Sequence, residues 1–112
     1  MHLELTPEAL LKQLGYSVTE QTLKQIKTIL NVTDGLEKFL PHIPSFADAL
    51  AVEKGYIAMS NSVDHLKIKC DADTNADNLA AFTQLVEHWA DKYRLKLQKV
   101  PNKNTYYIIG LA

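Results

Sequence analysis

Arginine is nearly missing from this chain: Arg94 is the only one among 12 basic residues. The guanidinium group is the side chain that clamps phosphate and carboxylate bidentately, so its scarcity weighs against nucleotide and nucleic-acid recognition by that route. Cysteine occurs once, as Cys70, which excludes an internal disulfide and a thiolate cluster within one chain. The four glycines are scattered and form no phosphate-cradling loop, and none of the four serines sits in a Gly-x-Ser-x-Gly elbow. No apolar run approaches the ~18 residues of a spanning helix, so no membrane partner is expected. Residues 1–8 have neither a basic stretch nor a long apolar one. A secretory leader is therefore not expected, and a cytoplasmic location follows by elimination. Net charge is small as well: 12 basic against 13 acidic residues leave −1. That balance provides no overall field to steer a strongly anionic partner.

What is present is an ordinary globular composition, 46% hydrophobic and 22% charged over 112 residues. It is enough for one domain, residues 1–112, with a modest core. The character of the chain changes near Gly55. Before it, in residues 1–54, the apolar spacing is helical. Thr6 and Pro7 mark a helix start, Leu10, Leu11 and Leu14 form its stripe, and Gly15 stops it. Ser17 with Glu20 reads as a capping box for a second helix carrying Leu23, Ile26, Ile29 and Leu30 on one face. A short turn holds Leu36, Phe39 and Leu40, and Ser45 with Asp48 reads as another start, for Phe46, Leu50 and Val52.

In residues 55–112 the period becomes two. Strands are expected at 56–60 and 63–70 around a tight Asn61-Ser62 turn, then from Leu95 and Leu97, and again at 106–111. Between them lies the strongest helical stripe of the chain: Leu79, Phe82, Leu85, Val86, Trp89 and Tyr93. The class is α+β: short N-terminal helices followed by a β-β-α-β-β unit, with one long helix packed on a four-stranded sheet.

Candidate chemistry is sparse. Asp71, Asp73 and Asn75 open like an EF-hand loop, but Ala76 stands at the glycine position and Phe82 at the bidentate glutamate position. Asp73 or Thr74 as the cap of the long helix, with Asp77 in its first turn, accounts for the same residues. Metal binding by Asp71, Asp73 and Asp77 stays open as the alternative. Cys70 is in phase with Leu66 and Ile68 and reads as a buried small hydrophobe. His2, His42, His65 and His88 contain no i, i+4 pair. His88 has Glu87 and Asp91 as carboxylate neighbours on its helix. No metal and no cofactor is expected. A helix-turn-helix reading of the first two helices is opposed by charge, because residues 1–60 hold seven acidic and five basic side chains.

The usable clue is the outer face of the sheet. Lys67 and Lys69 alternate with core residues on one strand, and Lys96 and Gln98 do so on another, with Lys99 following. Tyr106 or Tyr107 joins them, depending on register. Lysines with an aromatic ring on an open sheet are the elements of a single-stranded nucleic-acid platform. The leading expectation is nevertheless a non-catalytic interaction or regulatory module that binds a protein partner or its own copy. Its basis is that the helical apolar stripes in residues 7–52 exceed what one small sheet needs to cover, and that Tyr106-Tyr107-Ile108-Ile109 in the last strand is apolar on both sides, which calls for a central position or for a partner across an edge. Single-stranded nucleic-acid binding through the lysine/tyrosine face is the alternative, and a small enzyme using Cys70, His65 or His88 ranks last.

Overall fold

A computed structural model of the chain describes residues 6–60, 62–71 and 75–111. The fold is α+β. Among the described residues the order is α1 (Pro7–Gln13), α2 (Glu20–Val32), α3 (Leu36–Phe39), a 3-10 turn (Leu40–His42), α4 (Ile43–Val52), β1 (Gly55–Met59), β2 (Leu66–Cys70), α5 (Ala76–Tyr93), β3 (Leu95–Lys99) and β4 (Thr105–Leu111).

Helix starts follow from which side chain can reach the orphan amides. Thr6 accepts from the Ala9 amide at 3.2 Å, with Pro7 in the first position. Gly15 then turns the chain at φ +90, a left-handed conformation that glycine adopts without strain. The capping box of α2 is Thr19 with Thr22, not Ser17 with Glu20: Thr22 N donates to Thr19 Oγ1 at 3.1 Å and Thr19 N to Thr22 Oγ1 at 2.9 Å. Thr19 is the last extended residue, so its side chain, unlike that of Ser17, is within reach of those amides. Likewise α4 starts at Ile43, with Pro44 in its first turn, and not at Ser45. Proline has no amide to donate, and the first turn needs none. Asn75 caps α5 by accepting from the Asn78 amide at 2.8 Å, and Asp77 occupies the first turn. The other expected caps, Asp73 and Thr74, lie outside the described residues.

The sheet is antiparallel with the order β1-β2-β4-β3. β2 starts at Leu66, later than its alternation implied, and Ser60 N donates to His65 O at 3.1 Å as the chain enters from β1. Asn61, half of the expected tight turn, is outside the described residues. β4 lies inside the sheet, but it is not buried on both faces: Ile109, in the outward phase, is 37% exposed. The self-pairing expected of an edge strand at this position has no edge to use. The edges are β1 and β3. A register shift between Lys96 and Leu97 marks a bulge opposite Ile109. Beyond Ile108, where β2 has ended, Asp34 bridges to Gly110 instead, and Leu111 N donates to Asp34 O at 2.9 Å.

Helices α4 and α5 cover one face. Phe46 stacks on Trp89 at 4.7 Å between ring centroids, and Phe39 meets Phe46 and Tyr93 edge-on at 5.8 and 5.4 Å. Leu10, Leu11, Ile26, Ile29, Leu50, Ile57, Ile68, Phe82 and Ile108 belong to one buried cluster. α1 and α2 pack together beside the edge strand β1. Tyr16 Oη accepts from Met59 N at 3.0 Å, and Gln25 Nε2 donates to Ser60 O at 3.2 Å. Among the described residues, no helix is long and apolar enough to cross a membrane.

Gly55 sits where a Cβ would stand 2.8 Å from the Phe82 ring. Phe82 is fully buried, so its ring can yield only by shifting its core neighbours. Gly55→Ala is therefore expected to lower stability by about 1–3 kcal/mol. Phe46→Ala should cost about 3–5 kcal/mol through the cavity it leaves. Urea unfolding of both variants measures these losses, and a neutral Gly55→Ala would refute the close approach.

Candidate functional site

The strands alternate, and the register aligns their outward residues into rows. Tyr56 on β1 lies opposite Lys69 on β2, which lies opposite Thr105 on β4. One row over, Ala58, Lys67, Tyr107 and Gln98 follow one another across all four strands. Lys96 lies beyond the bulge and is exposed. This face carries no helix among the described residues: Tyr56 is 44% and Ile109 37% exposed. The four strands contain Lys67, Lys69, Lys96 and Lys99 and not one Asp or Glu.

Of the seven residues expected on the face, Lys67, Lys69, Lys96, Gln98 and Tyr107 share it. Lys99 and Tyr106, which are register partners, lie on the helix-bearing side. They are in phase with Leu97 and Ile108, and the core claims that phase. Tyr106 is 9% exposed, with its ring 6.3 Å from Phe82. Together with Glu87, Asp91 and Arg94, Lys99 and Tyr106 line a separate hollow of about 500 Å³. Lys99 Nζ donates to Lys103 O at 3.2 Å. Tyr56, Ser60, Ser62, Lys103 and Thr105 join the face without having been singled out. The alternation of β1 carried a signal for Tyr56. The two serines and Lys103 come from turns whose path no periodicity reveals.

At one corner of the face the side chains enclose a cavity of about 260 Å³. Lys67, Lys69 and Lys103 supply its charge, and Ser60, Ser62, Thr105 and Tyr107 supply hydroxyls. The hydroxyls form an ordered relay. Ser60 Oγ accepts from the amides of Ser62 and Val63 at 3.2 and 3.4 Å, so its own hydrogen is left to donate. Ser62 Oγ is the neighbour at 3.2 Å, and Tyr107 Oη lies 3.3 Å beyond Ser62 Oγ. The three hydroxyls thus form one hydrogen-bonded chain that ends at the Tyr107 phenol. The Tyr107 phenol is lowered from its ordinary value of 10.0 by the Ser62 hydroxyl, then by that of Ser60, with smaller help from Lys103 and Lys67.

Elsewhere the reactive side chains are dispersed. Cys70 is buried, its Sγ 3.8 Å from Glu53 O. His65 Nδ1 lies 3.2 Å from Thr33 Oγ1, a hydroxyl-imidazole pair, but Thr33 is 1% exposed and presents nothing to solvent. His42 packs on the Tyr93 ring at 4.5 Å, and His88 is on the exposed side of α5. Among the described residues, no group of three or more His, Cys, Asp or Glu is placed to hold a metal ion.

Two measurements check these environments. In an absorbance titration at alkaline pH Tyr107 should ionise below 10.0, and Tyr107→Phe should remove that step. A lowered folded-state value favours the phenolate. The stabilisation it adds thus appears as pH rises through the lowered value towards 10.0, and it is lost as pH falls. Alkylation of Cys70 should be negligible in buffer and complete in denaturant. Fast labelling of the folded protein would contradict its burial.

Comparison with known proteins finds no family model, no curated sequence and no solved structure that matches this chain.

Proposed function

We propose that the protein is a binding module whose working surface is the helix-free face of the sheet, and that this face takes a single-stranded nucleic acid. The observation that carries the reading is segregation. In a chain of net charge −1, the strands are free of carboxylates, and Lys67, Lys69 and Lys96 surround two outward tyrosines, Tyr56 and Tyr107. A local basic field supplies what the total charge does not. Stacking on a tyrosine ring needs only the π-face that every base has, while ammonium groups on a sheet follow the backbone. Tyr56 and Tyr107 stand two strands and one side-chain row apart by register. That separation is roughly 12 Å from strand spacing and rise, with Lys67 and Lys69 between the rings. The scarcity of arginine agrees with a surface that holds phosphates by charge rather than reading base edges.

The test is fluorescence anisotropy of labelled single-stranded and duplex oligonucleotides at low and physiological salt. Single strands are expected to bind more tightly than duplex, with affinity falling steeply as salt rises. Charge reversal of Lys67, Lys69 and Lys96 to Glu should abolish binding. Tyr56→Ala should weaken it by about 1–3 kcal/mol without flattening the salt dependence. No binding at low salt removes the nucleic-acid reading and leaves the same basic face to an acidic protein segment.

A further inference from the structure

The corner cavity differs from the rest of the face in kind. Of the lysines on the face, Lys96, on the edge strand β3, stands outside this cavity. Here Lys67, Lys69 and Lys103 converge on one hollow of about 260 Å³. Each ammonium offers three donors and no acceptor. The hydroxyl chain adds a further polar group. Two amides occupy Ser60 Oγ as an acceptor, and its hydroxyl continues through Ser62 to Tyr107. The Tyr107 O–H rotates freely enough to donate to a ligand in the hollow. The hollow thus collects donors and positive charge from two stretches that are distant in sequence, the loop after β1 with β2, and the turn into β4 with the start of that strand. Among the described residues, no carboxylate lines it.

We propose that this cavity is a binding site for a phosphate monoester dianion. Two features select that ligand over a carboxylate or an internal phosphodiester. Three ammonium groups exceed the charge that a monoanion balances, whereas a dianion comes closer to neutralising them. A tetrahedral group with three terminal oxygens also has enough acceptors to engage the three lysines and the Tyr107 hydroxyl together, with charge-assisted hydrogen bonds. Resting on the single-strand reading above, the inference makes the cavity the seat of a strand's terminal phosphate, with the neighbouring bases running out along the row towards Tyr56.

The probes are inorganic phosphate and a pair of short oligonucleotides identical except for a terminal phosphate. Phosphate is titrated into the ¹⁵N-labelled protein at constant ionic strength, with chloride as the replaced anion. Saturable shifts are expected at the amides of Ser62, Lys67, Thr105 and Tyr107. Tyr107→Phe keeps the ring and removes the donor, so it should weaken phosphate about tenfold, the scale of one hydrogen bond to a charged group. Lys103→Ala, in an exposed turn where folding is not at stake, should weaken it too. The terminally phosphorylated strand should bind about tenfold more tightly than its hydroxyl counterpart, and Tyr107→Phe should erase that preference. Shifts that are linear in phosphate and reproduced by chloride overturn the site. Equal binding of the two oligonucleotides, with no saturable phosphate response, also overturns it and leaves the single-strand reading intact. Saturable phosphate binding with no oligonucleotide binding supports the site, assigns it to a small phosphorylated molecule, and removes the single-strand reading.

Discussion

An aromatic seam holds the two halves of this protein together, and most of the architecture depends on it. Phe39 and Phe46 come from the helical N-terminal half, Trp89 and Tyr93 from the long helix of the C-terminal half. The four rings alternate stacked and edge-on contacts between 4.7 and 6.5 Å, the arrangements that the ring quadrupoles favour. The seam commits α4 and α5 to the same side of the sheet. With both helices there, the opposite side carries no helix among the described residues, and its lysines and tyrosines are left partly or fully exposed.

The second constraint is the insertion of β4 between β2 and β3. Because it pairs on both sides, β4 has its backbone groups satisfied along both edges, while its outward side chains stay on the helix-free face. The insertion also builds the candidate site. Tyr107 is brought beside Lys67 by one pairing and beside Gln98 by the other. The turn that feeds β4 delivers Lys103 to the same corner. A β4 at the edge would leave the Ser60–Ser62 relay without its terminal phenol.

Much of the fold is legible in local chemistry. The switch from a helical to a two-residue period near Gly55 separates the helical half from the ββαββ half, and burial of Phe82 and Val86 on α5 follows from its stripe. The misplaced starts have a shared cause. Ser17-x-x-Glu20 and Ser45-x-x-Asp48 satisfy a spacing rule, but a cap is made only by the residue whose backbone is extended at the boundary. For α2 that residue is Thr19, and for α4 the boundary is set by Pro44.

The site was half legible for a similar reason. Alternation alone put Lys67, Lys69, Lys96 and Gln98 on one face, because successive strand residues must point to opposite sides. Whether Tyr106 or Tyr107 joins them depends on pairing partners elsewhere in the chain. The register decided it, by aligning Tyr107 with Lys67 and burying Tyr106 against Phe82. The cavity was not legible at all. Its serines and Lys103 sit in turns, where no period constrains direction, and they meet only after β2 and β4 have paired. Class, element types and the basic outer face were determined by sequence, since each rests on neighbours within one helical turn or one strand. Strand order, the choice of tyrosine and the meeting of Lys67, Lys69 and Lys103 with Tyr107 around one cavity were decided by tertiary structure, since they depend on pairing between segments that are distant along the chain.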